Sequence, residues 1–213
     1  MELNLGDKKI TIRKWKGKDK KNFINSLKKA NIDQNEIMQA LVYSCVEENV
    51  TLSQDEFKYV LSRIRAASLG EKISIEFYCD ACGNVHTQEF NLKDVIRYTH
   101  KPMNEIVVGD LHIKLGQIRN REVYLQKIEE DPNYDFLLRI EEINGDDAFT
   151  LEDLEKKFDD LDLDVLTEVM AQFNESRFKI DDVNVVKCKC GAEQTYQFDE
   201  LPGFLPESWF VDE

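Results

Sequence analysis

Hydrophobic and polar positions change period several times along the chain. Residues 8–15 alternate around Ile10 and Ile12, which predicts a short strand. Over 18–30, Phe23, Ile24 and Leu27 fall at helical spacing. A second helix is predicted over 33–46, with Ile37, Leu41 and Val42 inward and Asp33 as its N-cap. A third, over 53–67, opens on Ser53-Gln54-Asp55-Glu56, where Glu56 can reach back to the Ser53 amide as a capping box. Phe57, Val60, Leu61 and Ile64 form its apolar stripe, and Gly70 stops it.

The period then shortens to two. Ile73, Ile75 and Phe77 alternate with Ser74, Glu76 and Tyr78, so a strand runs into Cys79-Asp80-Ala81-Cys82-Gly83 and returns from Val85 to Phe90. Asn91 to Asp94 carries the start signal of a short helix, and 105–115 reads as a hairpin turning at Gly109-Asp110. Helices are predicted over 119–130 and 134–143, divided by Asp131-Pro132-Asn133. Two more follow, from Thr150 to about Leu161 and from Leu163 to Asn174. A strand over 183–188, the turn Cys188-Lys189-Cys190-Gly191 and a return over 192–198 precede the C-terminal segment. The pattern predicts an α+β protein: helical N-terminal and middle segments with a small antiparallel β part. Its segments are 1–70 (helical), 71–118 (hairpins and the first cysteine turn), 119–176 (helical) and 177–213 (second cysteine turn and apolar tail). We expect them to form one composite globular unit.

Charge narrows the function classes. The net charge is −14, which repels nucleic acid, since phosphate binding needs a basic surface. One local exception is Lys8, Lys9, Arg13, Lys14, Lys16, Lys18, Lys20 and Lys21, opposed there by Asp19. Such a run can bind nucleic acid or a membrane surface. With Trp15 as its one aromatic, it reads better as a solvated strand and turn, or as a patch that docks an acidic protein. No stretch is long and apolar enough to span a membrane, and residues 1–21 lack the apolar core of a signal peptide. The expected compartment is a cytoplasm, where thiols stay reduced and cysteines serve as ligands or buried groups.

The candidate chemistry is therefore in the thiols. A tight turn aims two sulfurs at one point, and amides past the second cysteine can hydrogen-bond the thiolates. Gly83 and Gly191 each follow the second cysteine of a pair, where a positive φ suits glycine. Two such tips facing each other make a zinc ribbon, so Cys79, Cys82, Cys188 and Cys190 are predicted to hold one structural Zn2+. The pairs are far apart in sequence, which makes the ribbon discontinuous. Closing a loop of ~100 residues costs about 4 kcal/mol, against roughly 10–16 kcal/mol apparent return from a structural zinc site. The second pair is CxC, one residue shorter than the first, and is the weaker half of the prediction. The alternatives are four reduced thiols without metal, or His86 replacing one sulfur, although His86 reads better as a strand-surface residue. Cys45, beside Val42 and Val46, is expected to be a buried thiol.

Four thiolates leave no open position for water or substrate, so a catalytic site is not expected. No P-loop, GxGxxG, GxSxG or HExxH pattern occurs. The acidic run from Asp159 to Asp164 lacks EF-hand spacing and reads as a solvated face. His100 and His112 stand alone. In the tail, Phe204, Leu205, Trp209 and Phe210 either pack on the chain's own body or anchor into a partner.

Residues 75–83 (IEFYCDACG), the helical 119–174, Cys188-Lys189-Cys190-Gly191 and the end from Leu201-Pro202-Gly203-Phe204 to Trp209-Phe210 carry a family likeness. From about residue 20 the layout resembles the baseplate hub and hub assembly protein family of T-even-like contractile-tailed bacteriophages. The resemblance implies a non-enzymatic component of a virion tail baseplate, near its central hub and made in the host cytoplasm. It would contact other tail proteins within a symmetric multi-subunit assembly. The competing reading is a zinc-ribbon adaptor acting on host transcription or replication, supported by the ribbon and the basic run.

Overall fold

The computed structural model describes residues 1–6, 8–29, 34–101, 104–118, 120–181, 183–197, 205 and 209. A first hairpin, β1 (Glu2–Leu5) and β2 (Lys8–Thr11), is followed by α1 (Gly17–Leu27), α2 (Gln34–Tyr43) and α3 (Gln54–Leu69). Next come β3 (Lys72–Tyr78), β4 (Val85–Asn91), α4 (Leu92–Val95) and β5 (Arg97–Thr99). The middle holds β6 (Glu105–Val108), β7 (Leu111–Leu115), α5 (Arg121–Glu130), α6 (Tyr134–Leu137), β8 (Ile140–Ile143), α7 (Leu151–Asp159) and α8 (Leu163–Ser176). The last described elements are β9 (Lys179–Asp181), β10 (Val183–Lys187) and β11 (Glu193–Gln197). The fold is α+β, as expected, with every described strand pair antiparallel. The chain divides into two compact units. One comprises Met1–Glu48, Gln54–Thr99 and Lys179–Glu213; the other comprises Asn49–Ser53 and His100–Phe178.

The first unit starts from a strand that the sequence pattern did not reveal. β1 pairs with β2, Leu3 opposite Ile10 and Leu5 opposite Lys8. Because side chains alternate along a strand, Lys8 shares the inward face with Ile10 and Ile12. Lys8 is accordingly 3% exposed, and its Nζ donates to both Glu56 oxygens at 2.8 Å. The basic run thus loses one of its cations to the interior. A second is tied down locally: Arg13 donates to both Asp19 oxygens, at 2.7 and 3.0 Å. The Lys16 amide also donates to Asp19, at 2.7 Å, at the start of α1. Lys9, Lys14, Lys16, Lys18 and Lys21 remain exposed.

The Arg13 hydrogen bond holds the Asp19 carboxyl below its ordinary 3.8; burial opposes this and the Lys16 amide adds to it. A depressed carboxylate pKa stabilises the fold above the unfolded value, and that contribution is lost as pH falls through the folded value. Asp19→Asn is therefore expected to cost about 1.5–3 kcal/mol at pH 7. Urea unfolding at a series of pH values should show the gap to the unaltered chain closing below 3.8.

α1 packs on α2, α2 on α3, and α3 on β9. Phe23, Ile37, Met38, Leu41, Val42, Val60, Leu61 and Ile64 supply their buried positions. The expected N-cap Asp33 lies outside the described residues. Cys45 is buried just past α2, and burial pushes its thiol up, as befits a core group. β5 pairs with β9, Arg97 opposite Asp181 and Thr99 opposite Lys179. These two short strands were also not predicted.

In the tail, Leu205 and Trp209 are buried; Phe204 and Phe210 lie outside the described residues. The Trp209 ring sits 5.2 Å from Trp15 and 5.7 Å from Phe23, centroid to centroid. Large aromatic burial with two ring contacts predicts that Trp209→Ala costs about 2–3 kcal/mol. Limited proteolysis should then cut the C-terminal segment faster, with no change in metal content.

In the second unit, β6, β7 and β8 form a three-stranded sheet. Phe136 lies at its core, 5.2 Å from Phe158 and 5.0 Å from Phe173, with Ile106, Ile113, Ile143 and Val169 buried in the same cluster. Thr150 caps α7 in a capping box with Asp153, as its sequence predicts. The helix expected over 134–143 is corrected. It stops at Leu137, and Ile140–Ile143 is a strand on β7. The cause is a register shift at Lys114/Leu115. Ile113 opposes Ile143 and Leu115 opposes Ile140, so three residues of β7 lie against four of β8, with Glu141 the extra one. Such a bulge puts Ile140 and Ile143 on one face at a spacing that imitates a helix. Asn144 and Gly145, both at positive φ, then turn the chain.

Candidate metal centre

The site is built from two hairpin tips within the first unit. β3 and β4 pair in full register from Lys72–Asn91 to Tyr78–Val85. Beyond Tyr78 the tip closes through the Cys79 amide to Asn84 O, 2.9 Å, and the Gly83 amide to Cys79 O, 2.8 Å. β10 and β11 pair from Val183–Gln197 to Lys187–Glu193. Their tip closes with the Cys188 amide to Ala192 O, 2.8 Å, and the Gly191 amide to Cys188 O, 3.0 Å. The same pair of bonds is made in a loop one residue shorter, so the CxC spacing does not cost the tip its clamp. Gly83 and Gly191 take φ of 71° and 91°, where a side chain would be strained.

The two tips bring the four predicted sulfurs within 4.8 Å of one another. Cys79 Sγ lies 3.8 Å from Cys190 Sγ, and Cys82 Sγ lies 3.6 Å from Cys188 Sγ. Both contacts run between hairpins. Neither approaches the ~2.05 Å of a disulfide, and all five cysteines are free thiols. Cys79 and Cys188 are buried, Cys82 is half-buried and Cys190 is exposed. Four soft donors at this spacing could hold a metal ion.

Three further side chains, Gln194, Asn84 and His86, support the cluster. Gln194, on β11, donates from Nε2 to Tyr78 O at 2.8 Å and accepts the Asp80 amide on Oε1 at 3.4 Å. One side chain thereby clasps both tips. Gln194 and Tyr196 share a face by strand alternation, and Tyr196 stacks on Phe90 at 6.5 Å. Asn84 Nδ2 reaches Cys82 Sγ at 3.5 Å.

The third group is His86, expected on the strand surface. It lies directly across from Phe77, on the inward face of the ribbon. Its Nε2 is 2.9 Å from Cys188 Sγ and 3.8 Å from Cys82 Sγ. The His86 contact, then the Asn84 backbone and the neighbouring sulfurs, lower the Cys82 thiol to about 6 against burial. At Cys188 the Cys190 amide, 3.3 Å from the sulfur, pulls the thiol down. Burial and hydrogen bonds with the other sulfurs outweigh it and push Cys188 up to about 12. Crowded sulfurs oppose one another's ionisation, and burial adds to that opposition.

Of the other sequence candidates, His112 is exposed and 3.6 Å from Glu105. The acidic run spreads over the end of α7 and the start of α8, with its carboxylates exposed. Among the described residues, no helix is long and apolar enough to cross a membrane.

A family model described as T4 bacteriophage base plate protein matches residues 1–206. With nearly the whole chain matched, the protein belongs to that family. Comparison with curated proteins and with solved structures gives no significant match. The class is thus a structural protein of a phage tail baseplate, a component of the virion tail, from a family that is typically non-enzymatic.

Proposed function

We propose that this chain is a component of the central hub region of a contractile phage tail baseplate, fastened internally by one structural zinc ion. Cys79, Cys82, Cys188 and Cys190 would hold the ion. The observation that carries the reading is the pair of inter-hairpin sulfur distances, 3.8 and 3.6 Å. A tetrahedral ion with metal–sulfur bonds of ~2.3 Å separates its sulfurs by about 3.8 Å. Thiolates are the donors that select zinc over the harder divalent ions. A closed set of four leaves no exchangeable water for chemistry, in keeping with a non-catalytic role.

The chain assembles in the host cytoplasm and binds other tail proteins in a symmetric, multi-copy body. Its net charge of −14 favours protein contacts over nucleic acid. Engagement of Lys8 and Arg13 within the fold removes two cations of the basic run from the competing reading as a regulator of host transcription. Protein purified without chelator should contain about one zinc per chain. Tagged chain from infected cells should co-purify with tail proteins and show no salt-sensitive binding to DNA or RNA. Absence of zinc would sink the metal assignment. Binding to nucleic acid with no tail protein recovered would sink the baseplate role.

A further inference from the structure

We propose that the site has a fifth donor: His86 can take the coordination place of Cys190, so that three thiolates are fixed and the fourth position is exchangeable. This rests on the reading of the four cysteines as a metal site.

Cys190 is the weakest-held of the four. It is the exposed sulfur, on the shorter tip, whereas Cys79 and Cys188 are buried and Cys82 is half-buried. His86 stands on the opposite hairpin and is already within 2.9 Å of Cys188 Sγ and 3.8 Å of Cys82 Sγ. The β3–β4 ladder fixes where this ring is. His86 opposes Phe77, and the two rings are 5.7 Å apart, so the phenyl group limits where the imidazole can turn. A neutral imidazole with its proton on Nδ1 presents the Nε2 lone pair, the usual form of a histidine ligand. Four cysteines, or three cysteines with one histidine, both make closed tetrahedral sites for zinc. In the exchange one metal–sulfur bond breaks and one metal–nitrogen bond forms. The freed Cys190 thiolate takes a proton from water, and the site loses one unit of negative charge. The imidazole has to move away from Cys188 Sγ, from 2.9 Å to the wider separation of two donors on one ion. The structure therefore provides for a ribbon that stays closed when its one exposed sulfur is alkylated or oxidised.

The test uses Co2+ as the probe, bound by the full-length chain in place of zinc. Sulfur-to-cobalt charge-transfer absorption counts thiolate ligands. The unaltered chain should show four thiolates. C190S should still bind one Co2+ per chain, with absorption lower by one thiolate's share and d–d bands moved toward a mixed sulfur–nitrogen site. H86A alone should keep the four-thiolate spectrum. The double variant C190S/H86A should bind more than about tenfold more weakly than C190S.

Should C190S fail to fold, the unaltered zinc-loaded chain and zinc-loaded H86A are alkylated under native conditions, and intact mass reports modification and metal together. Chains carrying one alkyl group at Cys190 should retain zinc when His86 is present and release it in H86A. The inference is overturned if C190S binds cobalt no better than C190S/H86A, or if alkylated chains keep or lose zinc alike with and without His86. A chain that binds neither metal in unaltered form overturns the metal reading itself, a distinct result.

Discussion

Cys79→Ser is expected to lower the midpoint of thermal unfolding by roughly 10–20 °C, and a strong zinc chelator should do the same to the unaltered chain. The reason lies in what the ribbons lack. β3–β4 and β10–β11 are each two-stranded sheets, and a lone two-stranded hairpin is marginal in water. Among the described contacts between them, the Gln194 clasp and the Phe90–Tyr196 stack are modest. These are worth about 1 kcal/mol each. On the proposed metal reading the ion supplies much of the hold between the tips, while the long loop between them is already closed by the β5–β9 pairing. A loss of about 4–5 kcal/mol at this chain length corresponds to the stated shift. Cys79 is the decisive position because its sulfur is fully buried, so serine there leaves a cavity and a hydroxyl as well as a missing ligand. Differential scanning calorimetry with and without chelator measures it. Cys45→Ser is the control, since it replaces a buried thiol away from the cluster and should leave metal content unchanged. A chelated chain that melts at the same temperature as the loaded one would contradict the assignment.

The second large effect is at Glu56. Both its oxygens are bonded to the Lys8 ammonium, and each side chain of the pair is 2% exposed. Removing one partner of a buried ion pair leaves the other charge in a medium that solvates it poorly. Glu56→Ala should cost about 3–5 kcal/mol, read as a lower urea midpoint. The double substitution Lys8→Met with Glu56→Leu should recover to within about 1–2 kcal/mol of the unaltered chain, since it removes both desolvation penalties. If Glu56→Ala unfolds at the unaltered midpoint, Lys8 reaches solvent and the pair is not a buried one.

What the sequence made legible was local. The knuckles, the β3–β4 alternation, the capping signals at Thr150 and Asn91 and the stripes of α1 to α3 are written within a few residues of where they act. What it concealed depends on partners far away in the chain. Lys8 reads as one member of a surface run until β1 sets its register, and only then does strand alternation turn it inward toward Glu56. Ile140 and Ile143 are three apart, which mimics a helix, and the bulge at Glu141 that reconciles them with a strand shows only against β7. β5 and β9 are three residues each, too short to carry a period, and exist because they pair with each other. At the site, the clustering of the four cysteines was legible because cysteine pairs followed by glycine have few other uses. Gln194 was not, because it acts on the hairpin it does not belong to, and His86 was weighed as a substitute ligand but placed on the strand surface. The inward face of β4 (His86, Gln88, Phe90) was the one available signal, and its polarity disguised it.

The distance along the chain between Cys82 and Cys188 is 106 residues. Translation at about 5–20 residues per second therefore exposes the first pair roughly 5–20 s before its counterpart is made. During that interval the nascent chain carries an open half-site of two thiols on a hairpin that nothing yet covers. The intervening unit, whose described core cluster runs from Ile106 to Phe173, can complete itself in that time. Maturation of this protein then has an intrinsic order. On the proposed metal reading, its last event would be capture of the ion, which lacks a complete set of donors until Cys188 and Cys190 have been made.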